Sequence, residues 1–383
     1  MRGRAFAAAL FAALAPQLDH ALQVPHVSLK ATGAVAVDLT TGATLYSRND
    51  TLPLIPASNE KLTVTYAALT ALGPAFRIET DVLQDGVGDL ILKGYGDPTL
   101  TAADLTALAS QVRAAGITSV SGRILGDESW FDTRRTALGW KPSFYIEESP
   151  PLSALIVDRG RVGRSTSRDP ALAAAQLFRA ALVRAGVRVA GGPAHGVAPP
   201  DAVVLASVDS PSLAVIVHHM DTVSDNFEAE MLLKELGAVQ GDAGTTAVGA
   251  GVVTGLLDQA GIPLAGVRIV DGSGLSLLDR LTPAAVIALL EAMWNDPEQR
   301  LELLSSLPVA ARTGTLHDRM LHTAAAGIVR AKTGTTSNAS ALSGFVGDRY
   351  VFSILQNGWP VSWTWARRAQ DRFASVLAAA STG

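Results

Sequence analysis

The sequence predicts a mixed α/β fold: a hairpin and helices come first, a run of strands comes last, and an inserted unit interrupts them. Three observations predict it. Gly33 to Asn49, GAVAVDLTTGATLYSRN, alternates as two strands joined by a turn at Thr41 and Gly42, which is the pattern of a β-hairpin. From Gly327 onward, GIVRAKTG, SALSGFVG and YVFSILQNG read as three strands separated by polar turns, and WTWARRAQDRFASVLAAA follows as a helix. Between these ends, residues from about 76 to 204 change texture, with short β-like runs such as DLILKGYG, turn clusters such as GDPTL and a helical pattern from Pro170 to Val187.

Taken in order, the chain opens MRGRAFAAALFAALAPQLDHALQ, where Arg2 and Arg4 precede an apolar run from Ala5 to Ala15 and small residues near Ala21. This is the grammar of an export leader. Residues 1–22 are therefore expected to be a signal peptide, and the mature protein to be exported, periplasmic or associated with the cell wall. No later apolar run reaches the roughly 18 residues that a membrane span requires, so no transmembrane segment is expected in the mature chain. After the hairpin, a helix opens behind Pro56, carries Leu62, Leu69 and Leu72 on a recurring face, and stops at Gly73 and Pro74. Beyond the insert, PSLAVIVHHM and FEAEMLLKELGA read as two helices around the polar break DTVSDN. GTTAVGAGVVTGLLDQAG and LTPAAVIALLEAMWND give two more before the strands begin.

Composition narrows the function classes. With 383 residues, 48% hydrophobic and 17% charged, the chain can bury a substantial core and is long enough for two or more domains. A formal net charge of −4 gives no global attraction to nucleic acid or to an anionic membrane, so an anionic ligand must meet a local positive site. Without cysteine there are no disulfides, thiolates or cysteine-held metals. The histidine pairs His218 with His219 and His317 with His322 lack the i, i+4 spacing that aims two imidazoles at one ion. Neither a metal nor a cofactor is expected.

Chemistry concentrates in three short stretches. In PASNEKL, Ser58 and Lys61 are three residues apart at a helix start, which puts the amine within reach of the hydroxyl. The plain alternative is a helix-capping serine beside a solvated lysine. Composition favours chemistry, because the chain holds six lysines against twenty-five arginines. Arginine cannot be deprotonated in a protein, whereas a buried lysine can. In the polar break, Ser224 and Asn226 of SDN offer a hydroxyl and a carboxamide, although, taken alone, capping of the next helix explains them better. In AKTGTT, Lys332 supplies a cation, Thr333 and Thr335 supply hydroxyls, and Gly334 permits close approach, a set suited to a terminal carboxylate. The near-copy ARTGTL, Ala311 to Leu316, lies in a polar connection and reads as a decoy. Ser273 in DGSGLS lacks a lysine partner and reads as part of a structured turn.

Together, Ser58-Asn59-Glu60-Lys61, Ser224-Asp225-Asn226 and Lys332-Thr333-Gly334 resemble the motif set of penicillin-binding proteins and class A β-lactamases. Within that superfamily the chain is most similar to the D-alanyl-D-alanine carboxypeptidase/endopeptidase branch, the low-molecular-mass class C penicillin-binding proteins. LPLIPASNEKL, GYGDPTL, DGSGLS and AKTGTTSNASALSGFVG extend the likeness from about residue 33 to 358.

The resemblance implies a transpeptidase/β-lactamase-like domain, an antiparallel sheet flanked by helices, in two segments, 23–75 and 205–383, with a smaller α+β domain inserted at 76–204. Compared with larger relatives the insert is short, and one insert domain is expected. By the same resemblance Ser58 attacks a D-Ala-D-Ala bond of a peptidoglycan stem peptide, Lys61 is the general base, Ser224 relays a proton, and Asn226 orients the substrate. Lys332, Thr333, Gly334 and Thr335 form the carboxylate site, and the amides of Ser58 and Thr335 form an oxyanion hole. β-Lactams would trap the same serine. The rival readings are a serine β-lactamase and a non-catalytic peptidoglycan-binding scaffold, and the balance between carboxypeptidase and endopeptidase stays open.

Overall fold

The computed structural model describes residues 14–381. The described residues divide into two compact units, the first comprising residues 14–70, 217–226 and 253–381, the second Ala71–Ile216 and Phe227–Val252.

The first unit is built on one antiparallel sheet. The expected hairpin forms β1 (Thr32–Asp38) and β2 (Ala43–Arg48), and the three late strands form β3 (Val329–Thr335), β4 (Ala339–Val346) and β5 (Tyr350–Asn357). Their order is β3-β4-β5-β1-β2, so β1 pairs with β5 from the far end of the sequence, Ala34 opposite Ile354. Because side chains alternate across a strand, each strand feeds both faces. On one face Ala34, Ala36, Leu342, Phe352 and Ile354 pack against α1 (residues 14–22) and α5 (Trp363–Ser381), where Leu14, Leu18, Leu22, Phe373 and Leu377 are buried. On the other, Trp294 of α4 (Pro283–Asn295) stacks on Phe345 with ring centroids 5.1 Å apart.

The expected leader therefore falls only partly among the described residues. Residues 1–13 lie outside them. Residues 14–22 form α1, and Asp19 ties it to β2 by accepting hydrogen bonds from Tyr46 Oη at 2.8 Å and Arg48 Nη2 at 2.6 Å.

The helix behind Pro56 differs from its expected one-sided pattern. Ala57–Glu60 make a 3-10 turn before α2 (Lys61–Leu72) begins. From Lys61 to Leu69 every residue of α2 is buried, which is the behaviour of a central helix rather than a surface one. Among the described residues no helix is long and apolar enough to cross a membrane.

The second unit carries its own five-stranded mixed sheet, in the order Pro193–His195, Ile124–Asp127, Leu90–Gly94, Glu79–Gln84 and Val203–Asp209. Helices Ala102–Ala114 and Pro170–Arg184 cover its core of Leu92, Leu105, Leu108, Ile124 and Phe178. Both starts are written in the sequence. Thr101 and Asp104 form a reciprocal capping box, and Asp169 caps Leu172 with Pro170 in the first turn.

Candidate active site

The turn that carries Ser58 is held under constraint from three sides. Ala57 adopts φ 48°, a left-handed conformation that costs a non-glycine residue about 1 kcal/mol. On one side Asn357 clamps Ile55 with two hydrogen bonds, its Oδ1 accepting from the Ile55 amide at 2.8 Å and its Nδ2 donating to the Ile55 carbonyl at 2.9 Å. On a second, Asn59 Nδ2 donates to the Lys332 carbonyl at 2.9 Å while Asn59 Oδ1 accepts from Ser343 at 3.2 Å. On the third, Gly274 approaches so closely that a Cβ there would lie 1.9 Å from the Ala57 carbonyl. Ser58 itself is half-buried, with Lys61 completely enclosed beneath it.

Lys61 Nζ donates to Ser58 Oγ at 3.1 Å, Asn226 Oδ1 at 2.8 Å and the Ser273 carbonyl at 2.7 Å. Thus Ser273, read from sequence as part of a turn, contributes its backbone. Asp271 fixes that turn by accepting from the amides of Gly274 at 2.7 Å and Ser276 at 2.8 Å. Ser224 and Asn226 enter from the break behind α3 (Leu213–Val223), and Ser224 takes φ 64° at the chain reversal.

Lys332 is fully buried on β3 and donates to Ser224 Oγ at 2.8 Å. It is not the permanent cation expected from sequence. Burial, and secondarily the charge of Lys61, push its ammonium down to about 7 against the opposing pull of Asp221. Asp221 was not recognised in the sequence, though an acid in the apolar helix AVIVHHMDTV was the available signal. It is wholly buried on α3, where Oδ2 accepts from Thr65 at 2.8 Å and Ser306 at 3.2 Å while Oδ1 makes no hydrogen bond. Burial raises its carboxyl above the ordinary range, and the neighbouring ammonium groups of Lys332 and Lys61 oppose the rise.

The rest of the AKTGTT stretch follows strand alternation. Gly334 faces the serine turn, where an added Cβ would lie 2.8 Å from the Pro56 carbonyl and 3.1 Å from both Ala57 Cβ and the Ser58 amide. Thr333 Oγ1 donates to Thr315 at 2.7 Å, so the near-copy ARTGTL supports the strand it imitates. Thr335 Oγ1 accepts from Arg367 Nη2 at 3.3 Å. All eight side chains or backbone positions singled out in the sequence lie in the first unit. The hydrogen bonds join Ser58, Lys61 and Asn226 in one group and Ser224 and Lys332 in another, while Gly334 borders the Ser58 amide.

Fold and cluster define a serine hydrolase built on the penicillin-binding and β-lactamase architecture. Comparison with known proteins agrees. The profile of the D-Ala-D-Ala carboxypeptidase 3 (S13) family matches residues 14–168 and 164–380. The chain is 33% identical to the D-alanyl-D-alanine carboxypeptidase of Actinomadura sp. (strain R39) over 90% of its own length and 81% of that protein. It is 34% identical to a carboxypeptidase of Mycobacterium tuberculosis over 89% of this chain and 78% of the relative. Among solved structures, penicillin binding protein 4 from Haemophilus influenzae superposes with a TM-score of 0.81 at 21% identity, over 94% of this chain and 98% of that one. The same protein has been solved in complex with a β-lactam, and that structure matches with a TM-score of 0.76 at 20% identity over the same shares. The chain belongs to the D-Ala-D-Ala carboxypeptidase 3 (S13) family, and its activity is that of a serine-type D-Ala-D-Ala carboxypeptidase.

Proposed function

We propose that Ser58 is the nucleophile of an acyl-enzyme mechanism on peptidoglycan peptides ending in D-Ala-D-Ala, with Lys61 as its base. The observation that carries this reading is the surroundings of Lys61 Nζ. A neutral amine has two N–H donors and one lone pair. The Asn226 and Ser273 oxygens can take two N–H donors of a neutral Lys61, and loss of its third proton would turn the 3.1 Å contact with Ser58 Oγ into one in which the amine accepts from the hydroxyl. Burial disfavours the charged form of a lysine, and Lys61 is completely buried.

Ser58 Oγ bonds to the carbonyl carbon of the penultimate D-alanine as its proton passes to Lys61. The amides of Ser58 and Thr335 stabilise the oxyanion, a contribution of typically about 3 kcal/mol per donor. The C–N bond then breaks, and the departing amine takes a proton through Ser224, whose oxygen already receives a hydrogen bond from Lys332. Lys332, Thr333 and Thr335 hold the terminal carboxylate, Gly334 lets β3 approach the serine turn, and Asn226 orients the substrate amide. Water attacks the ester, releasing the shortened peptide and restoring the Ser58 hydroxyl. β-Lactams acylate the same oxygen and leave slowly.

The protein acts outside the cytoplasm, in the periplasm or at the cell wall. Intact-mass and peptide mapping after benzylpenicillin, with D-alanine release from a pentapeptide, test the assignment. An adduct on Ser58 and loss of release in Ser58→Ala are expected. Lys61→Arg should lower acylation by about 100-fold or more, since it keeps the charge and abolishes the base. An adduct elsewhere, or unchanged release in Ser58→Ala, refutes the reading.

A further inference from the structure

Beside Thr335 the first unit carries an open cleft of about 530 Å3 whose walls are all charged or hydroxyl-bearing. Arg319, Arg367, Arg368 and Arg372 line it with Asp371, and Thr323, Thr364 and Ser375 complete it. The one acid is already engaged. Arg319 donates to the same Asp371 oxygen from Nη2 at 2.6 Å and Nε at 3.0 Å. Arg367, Arg368 and Arg372 are exposed and, among the described residues, have no carboxylate within ion-pair distance. The cleft therefore carries three uncompensated positive charges on a chain whose formal net charge is −4.

The arginines are arranged rather than scattered. Arg368 and Arg372 lie one turn apart on α5, a spacing that puts them on one helical face, and the Arg368 guanidinium is 5.3 Å from the centre of the Trp365 ring. Arg367 joins the cleft to the active site through its hydrogen bond to Thr335 Oγ1 at 3.3 Å. Because that bond uses a lone pair of the hydroxyl, the Thr335 O–H remains a donor for a substrate carboxylate. Burial and the neighbouring Arg319 together pull the Arg367 guanidinium below its ordinary range, opposed by Asp371. Arg319 is the lesser of the two lowering causes, and a bound anion would favour the charged guanidinium against both.

We infer that this arginine cleft is a leaving-side subsite, taking carboxylates of the departing peptide beyond the one held at Thr335. The inference rests on the reading that the carboxylate next to the scissile amine lies at Thr333 and Thr335. A departing single D-alanine ends there, with no further charge to offer the cleft. A departing acidic peptide, as in a substrate where a second stem peptide supplies the amine, continues past Thr335 and places its remaining carboxylates among Arg367, Arg368 and Arg372. The cleft thus selects for acidic leaving groups without altering the bond that is broken.

The test uses three substrates with one acyl donor. The first releases D-alanine, the second releases a peptide with two further carboxylates, and the third releases the same peptide with those carboxylates amidated. The full protein should cleave the acidic substrate with kcat/KM about three- to tenfold above the amidated one, the scale of a pair of exposed charge contacts, and the gap should close in high salt. Arg368→Gln combined with Arg372→Gln should erase the preference while D-alanine release and the penicillin acylation rate stay within about twofold. Equal rates on acidic and amidated substrates in the unmodified protein, or an equal drop on all three substrates in the double variant, overturns the inference. Intact D-alanine release without the preference sinks the cleft alone, whereas absence of both release and a Ser58 adduct sinks the underlying reading and the cleft with it.

Discussion

Replacing Gly334 with alanine adds one methyl group where the structure has least room for it. Its Cβ would stand 2.8 Å from the Pro56 carbonyl oxygen and 3.1 Å from Ala57 Cβ and the Ser58 amide, against ordinary contacts that begin at 3.4 Å. Relief requires β3 and the serine turn to part by about 0.3 to 0.6 Å, and neither side yields freely. The turn is pinned by Asn59 to the Lys332 carbonyl and by Asn357 to Ile55. A misplacement of about 1 Å can lower a rate about 100-fold, so half of that displacement predicts a loss near tenfold in acylation. Overpacking of a close-packed contact should also cost about 1–3 kcal/mol of stability. The assay is the second-order rate of labelling by fluorescent penicillin together with D-alanine release and thermal melting. Gly255→Ala serves as control, because nothing lies within 4 Å of its added Cβ. A folded Gly334→Ala protein that labels within twofold of the parent, or a control that loses as much, would refute the argument that backbone proximity here sets the reactive geometry.

Three further outcomes are expected. As pH rises through about 7, the value to which Lys332 is pushed, its ammonium is lost, so kcat/KM for a carboxylate-ended peptide should fall more steeply than for its C-terminal amide; parallel profiles would remove Lys332 from carboxylate binding. Asp221→Asn takes away the buried negative charge that opposes the depression of Lys332, and should move that limb about one to two units further toward acid; an unmoved limb, followed by rates across pH, would show the carboxylate to be purely structural. Truncation through residue 22 removes the buried Leu14, Leu18 and Leu22, an upper estimate of about 5–9 kcal/mol of apolar burial, comparable with the whole stability of a domain; truncation through residue 13 should melt normally, and equal melting of the two forms would show α1 to be dispensable.

Much of the site was legible because its chemistry forces particular side chains into short local patterns. Ser58 and Lys61 share a turn, Ser224 and Asn226 share a break, and Lys332 to Thr335 share a strand end, so each group announces itself within a few residues. The hairpin, the three late strands and the helix from Pro170 were readable for the same reason, since alternation, turns and caps are local. Asp221, the Ser273 carbonyl, Thr315 and Arg367 were not legible. A backbone carbonyl carries no sequence signature, and the other three matter only through neighbours as far as 160 residues away in the chain, the span from Lys61 to Asp221.

By itself, then, the sequence determined which reactive groups the protein possesses and which strands and helices present them. Only the tertiary structure decided their electrical state and their supports. It put two lysines and one carboxylate together out of water, drove the Lys332 ammonium down to about 7, and made α1 part of the core although its composition reads as the end of a leader. The physical reason is common to these cases: desolvation and charge interaction depend on distances through space, which segments separated by hundreds of residues acquire only when the sheet and its helices close around them.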